Sequence, residues 1–306
     1  MIRPLAVAML AVLLQATVAT AAAPPRVLAT IKPLHSLAAG VMAGVGQPQL
    51  LMRATLSAHT YALKPSDAQA IQRADVIFWI GPGYESFMAK AMDNLPKNAR
   101  VLRMSAIPGV TLLPTREGGV WEADDDEPDH PDAEQDMHLW LDPANAKAIA
   151  AAMADALGQA DPADAARYAA NAKAVAAQID AMDAALAAEL APVKGKPFIV
   201  FHDGYQYYEK RYGLTAVGSI TVTPDRLPGP RRLSALRKKV VQQGASCVFS
   251  EPQFTSSLVA TVTEGTKARG GVLDPLGADA PDGPDGYVGL MRNLADSLKS
   301  CLLAAR

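Results

Sequence analysis

The sequence of 306 residues has only two cysteines and almost no net charge. Its 29 Lys and Arg residues nearly balance its 31 Asp and Glu residues, so the formal net charge is −2. This balance lacks the basic excess that is typical of nucleic-acid-binding proteins. Two cysteines are too few for a scaffold held by disulfides, and Cys247 and Cys301 lie too far apart for a CxxC redox pair or a zinc knuckle.

The common catalytic signatures are missing as well. The chain contains no G-x-S-x-G, Walker A, GxGxxG or H-E-x-x-H motif, which makes several large classes of enzyme less plausible. Beyond the N-terminal region, no segment is long and apolar enough to span a bilayer. Half of the residues are hydrophobic and 20% are charged, an ordinary composition for a soluble protein whose length suggests about two domains.

The first two dozen residues have the pattern of a secretory signal peptide. Arg3 supplies a positive charge, residues 5–19 form an uncharged and mainly apolar stretch, and small residues precede Pro24. We therefore expect residues 1–22 to be removed during export, and we expect no lipid anchor, because no cysteine lies near the cleavage point. A membrane anchor is the alternative, but the apolar stretch is short for a span of about 20 residues.

Short apolar segments alternate with longer helical patterns along the rest of the chain. This alternation predicts an α/β fold with mostly parallel sheets. The predicted strands are 27–31, 50–52, 76–80, 101–104, 198–201, 216–220, 246–249 and one that ends at 273. The predicted helices are 36–43, 65–73, 84–95, 161–190, 205–211, 230–243, 256–268 and 289–303.

The helix predicted from Asp161 to Leu190 is unusually long. Its larger apolar residues recur at helical spacing, and at 1.5 Å per residue it would extend about 45 Å. We interpret it as a rigid linking helix (161–191) between an N-terminal βα lobe (23–160) and a C-terminal βα lobe (192–306). A packed helix within one continuous domain is the alternative. Residues 117–136 are rich in acids without a base, which predicts a mobile surface loop.

Polar residues that can bind metals follow the predicted strands of the C-terminal lobe. His202-Asp203, Glu251 and Asp274 come at the carboxyl ends of three strands, where parallel α/β sheets bind their ligands. For each of them a structural role is the alternative, because a single histidine after a strand is more often a cap than a metal ligand.

The N-terminal half contributes three further histidines. We place His35, His59 and His138 in loops between predicted elements. Asp142, directly before Pro143, is most simply a helix N-cap. In the oxidising environment expected after export, Cys247 and Cys301 should form a disulfide that ties the C-terminal helix to a core strand, with metal ligation as the alternative.

The chain resembles the zinc-specific solute-binding proteins of bacterial ABC importers (the ZnuA type), in the group whose lobes are joined by a rigid linking helix. Seven stretches carry the resemblance, and they follow the same order along the chain. They are 31–37 (IKPLHSL), 57–67 (SAHTYALKPSD), 74–82 (ADVIFWIGP), 137–143 (MHLWLDP), 201–210 (FHDGYQYYEK), 247–254 (CVFSEPQF) and 273–277 (LDPLG).

The resemblance implies a metal site between the two lobes. The family's metal-binding histidines correspond to His59, His138 and His202, and the acidic position that supplies or neighbours a fourth ligand corresponds to Asp274. Three imidazoles and one carboxylate suit zinc, whereas harder oxygen ligands favour manganese. The family's paired cysteines match the two cysteines of this chain, which agrees with the disulfide expected above.

Two departures from the family pattern concern the metal. The family often has a His-rich loop before its second ligand, but here the corresponding segment is acidic with His130 alone, so no strong auxiliary zinc site is expected. Some zinc-specific relatives have a Glu directly before the first ligand, where this chain has Ala58.

We therefore expect a periplasmic, monomeric carrier that binds Zn²⁺ with high affinity and hands it to the membrane permease of an ABC importer. A periplasmic zinc chaperone is a further candidate partner, and nucleic acid is not. One alternative is a secreted zinc-dependent hydrolase, because three histidines with an open position also describe catalytic zinc. The others are a carrier of another divalent metal such as manganese, and a surface adhesin.

Overall fold

The computed structural model describes residues 23–94, 98–116, 121, 135–221, 224, 228–255 and 257–304. The predicted signal peptide, with His130 and most of the predicted acidic loop, lies outside the described residues. Within the part that is described, no helix has both the length and the apolar character needed to cross a membrane.

The N-terminal lobe is built on a parallel four-stranded sheet in the order β2-β1-β3-β4. The strands β1 and β3 are buried along their whole length, as expected for central strands of a sheet that is covered on both faces. The elements are β1 (Val27–Ala29), α1 (Lys32–Val41), β2 (Gln49–Leu50), α2 (Pro65–Arg73), β3 (Val76–Trp79), α3 (Ser86–Asn94) and β4 (Arg100–Arg103).

Two of these helices bear on the sequence predictions. The helix α2 has the predicted bounds, and its start is fixed by Asp67, which accepts a hydrogen bond from the Lys64 amide at 2.8 Å. The helix α1 begins earlier than predicted, because Pro33 in its first turn favours helix initiation. His35 therefore lies inside α1, and its predicted position in a loop is wrong.

Two short strands and two long helices follow. The strands β5 (Leu113–Pro114) and β6 (Gln135–Asp136) pair as an antiparallel ribbon. The helix α4 (Pro143–Ala160), absent from the sequence prediction, begins at the predicted N-cap, where Asp142 accepts a hydrogen bond from the Ala144 amide at 2.9 Å.

The long helix α5 (Ala165–Glu189) starts four residues later than predicted and has 25 residues, about 37 Å of helix. Its predicted apolar stripe is buried. The helix packs against α4 and α1 of the N-terminal lobe and also against the C-terminal helix. The main hydrophobic core is also continuous between the two lobes, so α5 is not their only connection.

The C-terminal lobe repeats the parallel arrangement, in the strand order β10-β9-β7-β8. Its elements are β7 (Pro197–Val200), α6 (Gln206–Tyr212), β8 (Thr215–Ser219), α7 (Pro230–Gln242), β9 (Cys247–Ser250), α8 (Ser257–Thr263), β10 (Arg269–Val272) and α9 (Gly286–Leu302). A disulfide between Cys247 and Cys301 joins β9 to α9, which confirms the prediction.

Candidate metal centre

Three histidines from both lobes converge at the carboxyl ends of the sheets. The candidate ligand atoms of His59, His138 and His202 all lie within 4.8 Å of one another. The Nε2 atoms of His138 and His202 are 3.0 Å apart, and the His59 ring centroid lies 5.9 Å and 5.6 Å from theirs. No other His, Cys, Asp or Glu side chains form such a group in the described parts of the chain. We call these three residues the histidine cluster.

His59 lies on the loop between β2 and α2. The Ser57 hydroxyl accepts a hydrogen bond from the His59 amide at 3.2 Å, which fixes the backbone there. The Nε2 atom is buried and has no hydrogen-bond partner. Burial, reinforced by the neighbouring His202 and His138, lowers the pKa of the His59 imidazole well below its ordinary value. A neutral imidazole with an unpartnered buried nitrogen is suited to bind a metal ion.

His138 follows the ribbon strand β6 and is held by Asp136. One Asp136 carboxylate oxygen accepts hydrogen bonds from the His138 amide at 2.9 Å and from the His138 Nδ1 atom at 2.8 Å. Because Nδ1 is engaged, the ring presents Nε2 to the cluster. Pairing with a carboxylate is the usual way in which proteins orient a metal-binding imidazole and raise its basicity.

His202 follows β7 and is held in the same way by Glu251, which follows the neighbouring strand β9. The Nδ1 atom lies 2.6 Å from Glu251 Oε1, and the carboxylate is only 2% exposed. Burial alone would lower the pKa of the His202 imidazole, but the charge and hydrogen bond of Glu251 outweigh burial and raise it above its ordinary value.

The short distance between His138 and His202 indicates how the cluster holds a proton. Two ring nitrogens 3.0 Å apart attract each other only if one of them carries a hydrogen. A metal ion between these nitrogens would replace that proton, because imidazole binds metals in its neutral form.

Gly204 leaves space in front of the two nitrogens. Its amide donates to the His202 carbonyl at 2.9 Å, which forms a tight turn. A Cβ atom at this position would lie 2.5 Å from His202 Nε2 and 3.0 Å from His138 Nε2. Any residue other than glycine would therefore fill the space that a bound ion needs.

Asp274 lies just beyond β10 and is not part of the histidine cluster. Its Oδ1 atom accepts hydrogen bonds at 2.9 Å from the Leu276 amide and from the Gln253 side chain. Its Oδ2 atom accepts a hydrogen bond from the Ala278 amide. The carboxylate thus caps the turn that follows β10, and its role as a ligand stays a prediction.

The sequence patterns do not pair either supporting carboxylate, Asp136 or Glu251, with its histidine. Asp136 pairs with Leu113 as part of β6, so the predicted acidic loop (117–136) extends two residues too far. The D-x-H spacing to His138 was the available signal. Glu251 was recognised as a polar residue after a strand, but its contact with His202 depends on the adjacency of β7 and β9.

Known proteins resemble this chain over most of its length. The family model described as "Zinc-uptake complex component A periplasmic" (ZnuA) matches residues 27–301. The high-affinity zinc uptake system protein ZnuA of Brucella abortus is 50% identical over 304 residues, which cover 90% of this chain and 91% of the relative. The protein of the same name from Yersinia pestis is 35% identical, with coverage of 90% and 91%.

Solved structures share the fold. The periplasmic zinc-binding protein TroA of Treponema pallidum matches with a TM-score of 0.78 at 20% identity, covering 92% of this chain and 100% of that one. A crystal structure of ZnuA matches with a TM-score of 0.77 at 23% identity, covering 91% and 99%. These similarities confirm the predicted α/β fold of two lobes and a long helix.

Proposed function

Because the chain belongs to the ZnuA family of periplasmic zinc-uptake components, we propose that it binds Zn²⁺ through the histidine cluster and delivers it to the permease of an ABC importer. Proteins of this family are solute-binding components of importers and not enzymes, so the hydrolase alternative is set aside.

The convergence of three imidazoles is the observation that carries the proposal. His138 and His202 are oriented by carboxylates, and the buried His59 Nε2 atom has no partner within the protein. Imidazole nitrogen is a preferred ligand of zinc, whereas manganese and magnesium favour sites rich in oxygen. The donor set therefore supports zinc as the transported ion.

Asp274 is our candidate for the fourth ligand. Its carboxylate accepts three hydrogen bonds, and an ionised carboxylate has about four lone-pair sites, so one site on Oδ2 remains available. Ligation would also offset part of the charge of the ion. The alternative shell contains the three imidazoles and a water molecule.

A zinc titration of the purified protein tests the binding step. We expect one zinc ion per chain for the wild type and loss of tight binding after His59→Ala. The matched control is His35→Ala, because His35 lies outside the cluster and binds the Pro48 carbonyl at 3.0 Å. Equal losses in both variants would contradict the assignment.

Delivery requires a separate test. Bacteria that lack their own zinc-binding protein, but keep the permease, should regain growth under zinc chelation when they express the wild type. The His59→Ala protein, exported to the same level, should not restore growth. Restoration by both would show that delivery does not depend on the histidine cluster.

A further inference from the structure

The ribbon of β5 and β6 connects the N-terminal lobe to the C-terminal lobe beside the metal centre. The Tyr207 hydroxyl accepts from the Leu113 amide at 2.9 Å and donates to the Asp136 carbonyl at 2.6 Å. The Gln206 side chain donates to the Pro114 carbonyl at 3.0 Å. Both strands of the ribbon are therefore fixed to the start of helix α6.

Arg116, two residues beyond β5, extends this connection to the loop that carries His202. Its Nε atom lies 3.0 Å from both carboxylate oxygens of Asp203. Its two terminal nitrogens donate to the Glu209 carboxylate at 3.0 Å and 2.9 Å. The guanidinium also stacks on the Trp121 ring, 3.8 Å from the centroid.

This arrangement is more elaborate than an ordinary surface ion pair. The Arg116 side chain is only 20% exposed, and the two carboxylates it joins come from different elements of the C-terminal lobe. Burial raises the pKa of the Glu209 carboxyl, and the Arg116 charge opposes that shift. Planar, bidentate contacts of this kind fix geometry in a way that a lysine cannot reproduce.

The position of Asp203 connects this network to the metal centre. Asp203 lies between His202 and Gly204, the two residues that shape the space around the Nε2 atoms. Glu251 fixes the imidazole of His202 from the side of β9. Arg116, through Asp203, fixes the backbone of the same loop from the opposite lobe.

We infer that Arg116 is a positioning residue for zinc: by holding Asp203, it keeps His202 in register with the two histidines of the N-terminal lobe and slows release of the ion. The inference rests on the proposed function. It also predicts an effect opposite in sign to simple electrostatics, since removal of a positive charge near a cation site should by itself favour cation binding.

The test compares zinc release from the wild type, Arg116→Gln and Arg116→Lys, measured by stopped-flow competition with a chelator. Arg116→Gln should release zinc about tenfold faster, because loss of a residue that supports a metal ligand typically has an effect of this size. Arg116→Lys keeps the positive charge but lacks the planar guanidinium, so its rate of zinc release should lie between those of the wild type and Arg116→Gln. The absorption spectrum of bound Co²⁺ should change in both variants, because the geometry of the shell changes.

Arg211→Gln is the matched control. Arg211 lies at the end of α6 away from the His202 loop, on the helix that also carries Glu209, and pairs with Asp183 of α5, with Nε 2.9 Å from one carboxylate oxygen. This variant removes a more exposed Arg–Asp ion pair from the same helix, and it should leave zinc release and the Co²⁺ spectrum unchanged.

The possible outcomes separate the two claims. Unchanged or slower release from Arg116→Gln, or equal acceleration in Arg211→Gln, would overturn the positioning role while zinc binding stands. If Arg116→Gln does not fold, Arg116→Lys decides, since unchanged release there overturns the inference. A wild type that does not bind zinc contradicts the proposed function itself, and the positioning role falls with it.

Discussion

Two of the three clustered histidines are supported in a different way from the third. His138 and His202 each pair with a buried carboxylate that follows or forms part of a strand. His59 lies on a loop, and its buried Nε2 atom has no hydrogen-bond partner. The pKa values of His59 and His202 move in opposite directions, downward by burial for His59 and upward by Glu251 for His202.

This difference suggests a division of roles. The two supported imidazoles are oriented by their carboxylates before the ion arrives. The pKa of His59 is lowered by burial, so protons compete less with a metal ion for its lone pair. The site thereby combines two oriented imidazoles with one imidazole of lowered pKa. Substitutions can weaken either feature separately.

Removal of any one imidazole should have the largest effect. We expect His59→Ala, His138→Ala and His202→Ala each to weaken zinc binding about a hundredfold or more, or about 2.7 kcal/mol. Competition titration with a chelator measures this loss. If His59→Ala retained the affinity of the wild type, the unsupported histidine would not be a ligand. The proposed division of roles between His59 and the two supported histidines would then be wrong.

Removal of a supporting carboxylate should have an intermediate effect. Asp136→Asn and Glu251→Gln keep the shape of the side chain. They remove the negative charge that makes the paired imidazole a stronger metal ligand. We expect each to lower zinc affinity by about tenfold to a hundredfold. The same titration checks this, and affinities equal to the wild type would show that the two carboxylates serve folding alone.

The pH dependence of binding should show protons competing with zinc for the imidazole of His202. The pKa of His202 is raised. As the pH falls, protons should therefore begin to displace zinc from it at a higher pH than from an ordinary imidazole, whose pKa is about 6.5. In Glu251→Gln the pKa of His202 should fall, so the decline in affinity should move to lower pH. Titrations between about pH 5.5 and 8 measure the shift. An identical pH profile in both proteins would contradict this role of Glu251.

Asp274→Asn should have the smallest effect on affinity. Asparagine keeps an oxygen that can accept from the Leu276 amide but loses the negative charge. If Asp274 joins the shell, zinc affinity should fall about tenfold, whereas loss of the hydrogen bond from the Ala278 amide should by itself lower only the melting temperature of the zinc-free protein. Unchanged affinity would restrict Asp274 to its capping role.

Much of the fold could be predicted because its central strands are uninterrupted apolar segments bounded by turns, such as Val76–Trp79. The helix α4 escaped prediction although Asp142 was predicted as a helix N-cap, and its alanine-rich sequence is no less amphipathic than that of α5, which was predicted.

The candidate ligands could be proposed from the sequence because each histidine lies in a recognisable local motif. Their partners could not, because these contacts depend on long-range pairing. Glu251 reaches His202 only because β9 lies beside β7. Arg116 reaches Asp203 only because the β5–β6 ribbon docks on α6 across the two lobes.

X-ray absorption at the zinc edge tests the central claim most directly. In the protein loaded with one zinc ion, the account predicts three imidazole nitrogens at about 2.0–2.1 Å from the metal. The spectrum of His59→Ala should show one imidazole fewer. A wild-type shell of oxygen ligands without imidazole scattering, or identical spectra for the two proteins, would contradict the account.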